Sequence, residues 1–405
     1  MMYGMLKSNI IRTCLRTIRS YIFYSERLDP VLGLRGLACL VVIWDHLQRI
    51  NGWIMIHGID LSFIVAPDGG IAVPIFYLIS GFSVGYGFFS KKYTLSIKSL
   101  RSYYINRWLR IAPAYYVCML ACIFIFYRQT AVSLHYIVRF FTFTANFDYL
   151  TLPIQQLLAI LSTEMQFYLI APLLFAALSR IVHKIHPLVV GMYILCFGCA
   201  VRYLLLTLGL VASFDMFRLN VYVTVWGMID YFLFGMFLSY IICERKADVI
   251  ALKKRIPNAG YVILLISLYL WINYNIHFAM FIPWSKDVIN RMFILPPSLC
   301  ILIGWYIISR SVVFTYRRIQ YSVSRIVKLL IHPRTFFYGI GFISYGLYLY
   351  HYVFFDLLYL KPGFVNSSTP SFSRFFVVLS ITIITAIASY TLIESPFLRK
   401  KHKTV

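Results

Sequence analysis

Two ionisable residues in the first long apolar stretch have types and spacing that could serve chemistry. Arg35 and His46 are eleven positions apart, so on an α-helix they lie about 20° apart around the axis and about 16 Å apart along it. One helix face would carry a cation near one end and an imidazole, a potential base or nucleophile, near the other. Asp45 points to a different side of this helix. The alternative is structural: Arg35 reaches lipid headgroups and His46 bonds a neighbouring helix.

Arg107 and Arg110 are a second candidate for chemistry. They lie three positions apart, so they share one helix face. Two planar guanidinium groups at this spacing suit a phosphate. Cations at the end of an apolar stretch also bind lipid headgroups, so the spacing alone does not decide between these two uses.

Glu164 lies about half-way through another apolar stretch, with Tyr168 one helical turn later. A carboxylate there needs a cation, a hydrogen-bond donor or its own proton. Three uses fit: orienting His46 or Arg35, contacting a sugar hydroxyl, or bonding a neighbouring helix.

A late apolar stretch carries a group of polar side chains: Ser344, Tyr345, Tyr348 and His351. Ser344 and His351 are seven positions apart and share a helix face. We expect this set to line a substrate site, with helix packing as the alternative. We find no spacing typical of a metal site and no glycine-rich nucleotide motif, so no metal is predicted.

The composition indicates what must position these residues. The chain has 405 residues, of which 60% are hydrophobic and 13% charged, whereas soluble domains have about 45–50% and about 25%. An ordinary soluble domain is therefore excluded, and we predict an all-α integral membrane protein. Ten stretches are long and apolar enough to span a bilayer. They are residues 32–50, 70–89, 110–127, 155–179, 187–209, 221–243, 260–280, 292–314, 336–359 and 374–394. Residues 131–149 favour an interfacial or re-entrant segment.

The net charge of +24 is distributed as membrane topology requires, and does not indicate nucleic-acid binding. With a cytoplasmic N-terminus, 28 of the 38 Lys and Arg residues lie in segments predicted inside and 8 in segments predicted outside. This bias follows the positive-inside rule and places both termini in the cytoplasm. We predict a basic cytoplasmic segment over residues 1–30, a ten-helix membrane domain over 31–396 and a basic cytoplasmic tail over 397–405.

Six sequence blocks in one order resemble the membrane acyltransferase-3 family, which includes O-acetyltransferases of surface polysaccharides. The blocks are LDPVLGLRGLA at 28–38 followed by His46, PIFYLISGF at 74–82, RWLRIAP at 107–113, STEMQFY at 162–168, ISYGLYLYH at 343–351 and ESPF at 394–397. Together they cover nearly the whole chain. One departure is Val73-Pro74, where many members have Val-Asp, so no acidic role is carried over there.

The resemblance implies a ten-helix fold and an acyl-CoA donor, most simply acetyl-CoA, used from the cytoplasmic side. It also implies a glycan or lipid-linked sugar as acceptor, such as lipopolysaccharide, and a place in the inner membrane. No permanently bound cofactor is expected. Many members carry an extra extracytoplasmic domain. For this chain we expect any such partner to be a separate protein.

On this reading Arg35, Arg107 and Arg110 hold the CoA phosphates. His46 acts as general base on the acceptor hydroxyl, or as the nucleophile of an acyl-histidine relay. Asp45 or Glu164 would fix its tautomer. The remaining set binds the acceptor: Tyr168, Ser344, Tyr345, Tyr348 and His351.

Two other classes of protein compete with the enzyme. In a transporter or flippase, the charged residues would line the path of the glycan through the membrane. The sequence has no obvious internal repeat of the kind many transporters show. If the protein were a purely structural subunit, its intramembrane ionisable residues would have no function.

Overall fold

A computed structural model describes most of the chain. The described residues are 29–47, 55–57, 59–60, 69–126, 133–147, 153–255, 258–279, 284–310, 326, 329–331, 335–359 and 372–400. Residues 1–28 and 401–405 lie outside them, and with them almost all of the predicted N-terminal segment and the end of the predicted tail.

The described residues are helical apart from one short antiparallel pair and connecting turns. The helices are α1 Pro30–Leu47, α2 Ala72–Phe89, α3 Ile97–Phe126, α4 Leu134–Phe141, α5 Pro153–Val182, α6 Pro187–Thr207, α7 Phe214–Phe217, α8 Ile229–Glu244, α9 Lys246–Arg255, α10 Asn258–Ala279, α11 Trp284–Ile289, α12 Leu295–Arg310, α13 Phe336–Tyr359, α14 Phe372–Ser389 and α15 Ser395–Lys400. The pair is β1 Met55–Ile56 with β2 Ile59–Asp60, in which Met55 is opposite Asp60. The 3₁₀ turns are Gly69–Ile71 and Ala145–Phe147.

Six helical stretches of the described chain are long and apolar enough to cross a membrane. They are Gly69–Phe89, Ile97–Ile125, Leu157–Val182, Pro187–Thr207, Asp287–Arg310 and Phe376–Lys400. Each contains most of one predicted span. Helices α1, α8, α10 and α13 occupy the other four predicted spans. The all-helical architecture is confirmed, while ten crossings and the cytoplasmic side of the termini stay predictions.

Two segments differ in detail from ordinary spans. Residues 134–147 form only a short helix and a 3₁₀ turn, too short to cross a bilayer. The predicted span 221–243 becomes an α-helix only at Ile229. Carbonyl groups before that point bond side chains of other elements: the Val223 carbonyl accepts from Asn146 and Thr163, and the Gly227 carbonyl accepts from Arg202.

Glycines let two pairs of helices approach until their backbones touch. A Cβ atom on Gly36 of α1 would lie 1.9 Å from the Phe337 carbonyl oxygen of α13, and one on Gly341 would lie 1.8 Å from the Leu32 carbonyl oxygen. Gly81 of α2 and Gly235 of α8 make an equivalent crossing. Small residues at helix crossings are typical of membrane bundles, where close packing replaces the hydrophobic effect. The α1–α13 crossing brings His46 beside His351.

A buried ion pair joins the helices behind this crossing. The guanidinium of Arg202 on α6 donates to both carboxylate oxygens of Asp230 on α8, at 2.9 and 2.7 Å. It also donates to the carbonyls of Met292 and Gly227, at 2.6 and 3.0 Å. The side chains are 1% and 0% exposed. The pair's charges are well paired, which buried charges require, so we assign it a structural role.

Candidate active site

His46, near the C-terminal end of α1, lies against two aromatic rings of α13. The centre of its ring is 5.3 Å from that of His351 and 5.1 Å from that of Tyr352, which meets it edge-on. His46 is nevertheless exposed over part of its surface, although protein surrounds much of the side chain. The guanidinium of Arg218 lies within electrostatic range of His46. His46 thus combines an accessible imidazole with fixed neighbours.

His351 is held by its own helix. Its Nδ1 atom lies 2.7 Å from the Tyr348 carbonyl oxygen and 3.2 Å from that of Leu347. The side chain is 2% exposed. Among the residues predicted to bind the acceptor, His351 is the one that the structure places against His46.

A second polar group connects α2, α3 and α5. Glu164 accepts hydrogen bonds on one carboxylate oxygen from the hydroxyls of Ser80 and Tyr168. The guanidinium carbon of Arg107 lies 4.9 Å from the centre of the Tyr168 ring, and the guanidinium donates to the Ser83 carbonyl at 3.3 Å. Arg107 and Glu164, predicted for different roles, therefore meet around Tyr168.

A third polar group contains Glu394. This carboxylate is buried and lies within electrostatic range of Arg35 and Arg110. Arg110 thus faces α14 and its continuation, whereas Arg107 faces α5. The two arginines predicted to share one phosphate are close in sequence but contact different helices. Of the predicted donor-binding cations, Arg35 and Arg110 both lie within electrostatic range of Glu394.

The tyrosines of α13 run between these groups. Glu164 and Glu394 both lie within electrostatic range of the Tyr345 hydroxyl. That hydroxyl donates a hydrogen bond to the Ile111 carbonyl at 2.7 Å. Glu164 also acts on Tyr348. One face of α13 therefore leads from the Arg35–Arg110–Glu394 group past Glu164 to the two histidines.

Two predicted site residues, Ser344 and Asp45, contact groups other than His46. The Ser344 hydroxyl bonds the Gly341 carbonyl of its own helix at 2.8 Å and is buried. The Asp45 side chain packs on Gly69, where a Cβ atom would lie 2.5 Å from Oδ2. The roles predicted for Asp45, Glu164 and Ser344 stay predictions, and the hydrogen bond of Ser344 within its own helix favours a structural role for that hydroxyl.

Three residues near the site were assigned no role from sequence: Ser80, Glu394 and Arg218. Ser80 and Glu394 lie in the quoted blocks at 74–82 and 394–397, and Glu394 ends an apolar stretch, where a carboxylate is a functional signal. Arg218 was counted only as a cation of an outer loop. Arg218 and Glu394 both lie in π-helical turns, Arg218–Tyr222 and Tyr390–Glu394. Such turns are frequent at functional sites.

A family profile described as "Acyltransferase domain" matches residues 28–393. The chain belongs to the acyltransferase-3 family. The match includes the helices that carry His46, Glu164 and His351. Together with the apolar helices, membership indicates a multi-pass membrane protein.

Curated relatives of this acyltransferase-3 chain are distant. "Putative O-acetyltransferase SACOL0978" of Staphylococcus aureus (strain COL) is 24% identical over 396 residues, covering 92% of this chain and 58% of its own length. "O-acetyltransferase OatA" of Staphylococcus aureus (strain NCTC 8325 / PS 47) is 23% identical over 427 residues, covering 94% and 59%. The chain thus spans less than two thirds of the length of these relatives. No solved structure is significantly similar to it.

Proposed function

We propose that this protein transfers an acyl group, most simply acetyl, from acyl-CoA to a hydroxyl of a cell-surface or lipid-linked glycan. The observation that carries the proposal is His46: an accessible imidazole, fixed by α13, at the opposite end of α1 from Arg35. Family membership and the names of the relatives support acyl transfer to oxygen. They favour an enzyme over a transporter or flippase.

The donor is proposed to bind at the cytoplasmic end. Arg35 and Arg110 both lie within electrostatic range of Glu394, and guanidinium groups bind phosphates with charge-assisted hydrogen bonds. Arg35 is about 16 Å from His46 along the helix. This separation suits a donor whose charged nucleotide stays at one end while its thioester reaches the other.

The reaction needs one base. The acceptor oxygen attacks the thioester carbonyl, and His46 takes the hydroxyl proton as the new carbon–oxygen bond forms. The carbon–sulfur bond then breaks, and the CoA sulfur leaves with the proton returned by the His46 imidazolium. The products are the acyl ester and CoA with a free thiol. In this proposal the acceptor approaches from the outer side and reaches the exposed residue His46.

The test is label transfer in purified protein. Wild type, His46→Ala and His183→Ala are reconstituted in nanodiscs with labelled acetyl-CoA and a de-O-acetylated surface polysaccharide, and alkali-labile label in the polysaccharide is counted. His183 is an exposed histidine at the end of α5 and serves as the matched control. Loss of a general base is expected to cost 10²- to 10⁴-fold, so label falls at least about 100-fold in His46→Ala and is unchanged in His183→Ala.

Equal labelling by His46→Ala would remove His46 from the reaction. If wild type transfers no label from acetyl-CoA, propionyl-CoA or succinyl-CoA to the polysaccharide, acyl-CoA is overturned as the donor class.

A further inference from the structure

The tautomer of His351 follows from its hydrogen bonds. Its Nδ1 atom faces the carbonyl oxygens of Tyr348 and Leu347 at 2.7 and 3.2 Å. A carbonyl oxygen only accepts, so Nδ1 must carry the hydrogen. In a neutral imidazole the other nitrogen, Nε2, is then an acceptor with a free lone pair.

This acceptor is buried and unused. The Nε2 atom of His351 has no hydrogen-bond partner in the described chain, and the side chain is 2% exposed. A buried polar atom without a partner destabilises the fold, so an unsatisfied atom at such a place calls for an explanation. A glycan hydroxyl cannot reach an atom that is closed to solvent, which leaves a side chain of the protein as the donor.

His46 is placed to be that donor. Nδ1 of His351 is turned to its own helix, so the lone pair of Nε2 points away from that helix. The His46 ring centre lies 5.3 Å away, nearer than the rings of Tyr348 at 5.7 Å and Tyr352 at 6.1 Å. No hydrogen bond joins the two histidines in this structure, but His46 is exposed and a rotation of its ring closes the gap.

We propose that His351 is the positioning residue of the transfer reaction, with its Nε2 accepting the N–H of His46 so that the other nitrogen of His46 faces the acceptor hydroxyl. The inference rests on the proposed function and completes it. His351 thereby does what Asp45 or Glu164 was predicted to do. The cation of Arg218 lies within electrostatic range of His46, so a hydrogen-bond acceptor beside the imidazolium would stabilise it in the reaction. Nε2 supplies that lone pair.

The first experiment compares three variants at position 351 in the same nanodisc assay. The amide of His351→Gln reaches the position of Nε2 and keeps an acceptor there, whereas His351→Asn is too short and His351→Leu has none. We expect kcat to fall at least about 30-fold in the Leu and Asn variants and less than about fivefold in the Gln variant. KM for acetyl-CoA and for the polysaccharide stays within about twofold. Tyr193→Phe, at an exposed position of α6, is the control and retains wild-type kcat.

A Leu variant within threefold of wild type would overturn the proposal, as would Gln and Asn variants that lose activity equally while remaining folded. If His351→Leu does not fold, the comparison of Gln with Asn carries the same decision.

The second experiment does not need turnover and so separates this inference from the proposed function. Diethyl pyrocarbonate modifies neutral imidazole nitrogens, and its rate at His46 is read by mass spectrometry of the His46 peptide. An acceptor at Nε2 of His351 makes the free nitrogen of His46 more nucleophilic, so we expect the rate to fall at least about threefold in His351→Leu and to recover in His351→Gln. An unchanged rate would contradict the pairing. If the modification rate falls in His351→Leu but the wild-type protein transfers no acyl group, only the proposed function is refuted.

Discussion

Glu164 illustrates how a single intramembrane carboxylate can connect several helices. It accepts hydrogen bonds from Ser80 on α2 and from Tyr168, whose ring faces the Arg107 guanidinium of α3. The sequence indicated that Glu164 needs partners, because a carboxylate in an apolar span is costly alone. It did not indicate which partners, since Ser80 is 84 positions away and only the packing of α2 on α5 brings the two together.

Replacing Glu164 by Leu should destabilise the protein. Two hydroxyl donors that are buried lose their common acceptor, and each unsatisfied group costs about 1–3 kcal/mol. Glu164→Gln keeps an acceptor oxygen in the same place and should lose less. The measurement is the thermal unfolding midpoint of the detergent-purified variants. A Leu variant as stable as the Gln variant would show that these hydrogen bonds do not hold α2 to α5.

At the level of elements, the sequence predicted where helices occur better than how they begin. Each of the ten predicted hydrophobic stretches contains a helix within the described residues. The late start of α8 at Ile229 was not predictable, because it depends on Val223 and Gly227 carbonyls that bond side chains from other segments. The π-helical turns at Arg218–Tyr222 and Tyr390–Glu394 likewise leave no local signal in apolar periodicity.

The α1–α13 crossing should be sensitive to one methyl group. In Gly36→Ala the added Cβ would meet the Phe337 carbonyl oxygen at 1.9 Å, so the helices must separate and His46 moves away from His351. We expect transfer to fall at least about tenfold and stability by about 1–3 kcal/mol, as for other overpacked sites. Gly191→Ala, whose Cβ would have an ordinary 3.4 Å contact with the Phe237 ring, is the matched control. Normal transfer by Gly36→Ala would mean that the crossing does not set the site.

On the scale of the whole molecule, polar groups extend along one face of α13 through an otherwise apolar bundle. The group containing Arg35, Arg110 and Glu394 is at one end and the two histidines are at the other. Residue types and spacing predicted the two ends of this path. They did not predict that Arg107 and Arg110 would face different helices, because a shared helix face at spacing three still allows long side chains to diverge.

The donor end makes a specific prediction for Arg110. Arg110→Gln removes a charged donor to phosphate, so KM for acetyl-CoA should rise about tenfold, which corresponds to about 1.4 kcal/mol. Acetyl-pantetheine, which has no nucleotide phosphates, should be used equally by wild type and variant. Arg101→Gln, at an exposed position of the same helix, should change neither KM. An equal rise for both donors would place Arg110 away from the phosphates.

The central claim is that acyl-CoA enters from the cytoplasmic side and that His46 acts as the base in the transfer of its acyl group to a glycan. Sealed membrane vesicles of both orientations, carrying wild type or His46→Ala, are given labelled acetyl-CoA in the medium, because its charged phosphates prevent it from crossing the bilayer. The account predicts labelled glycan in inside-out vesicles with wild type, about 100-fold less label with His46→Ala, and none in right-side-out vesicles until they are permeabilised. Equal labelling in sealed right-side-out vesicles, or undiminished labelling with His46→Ala, would contradict it.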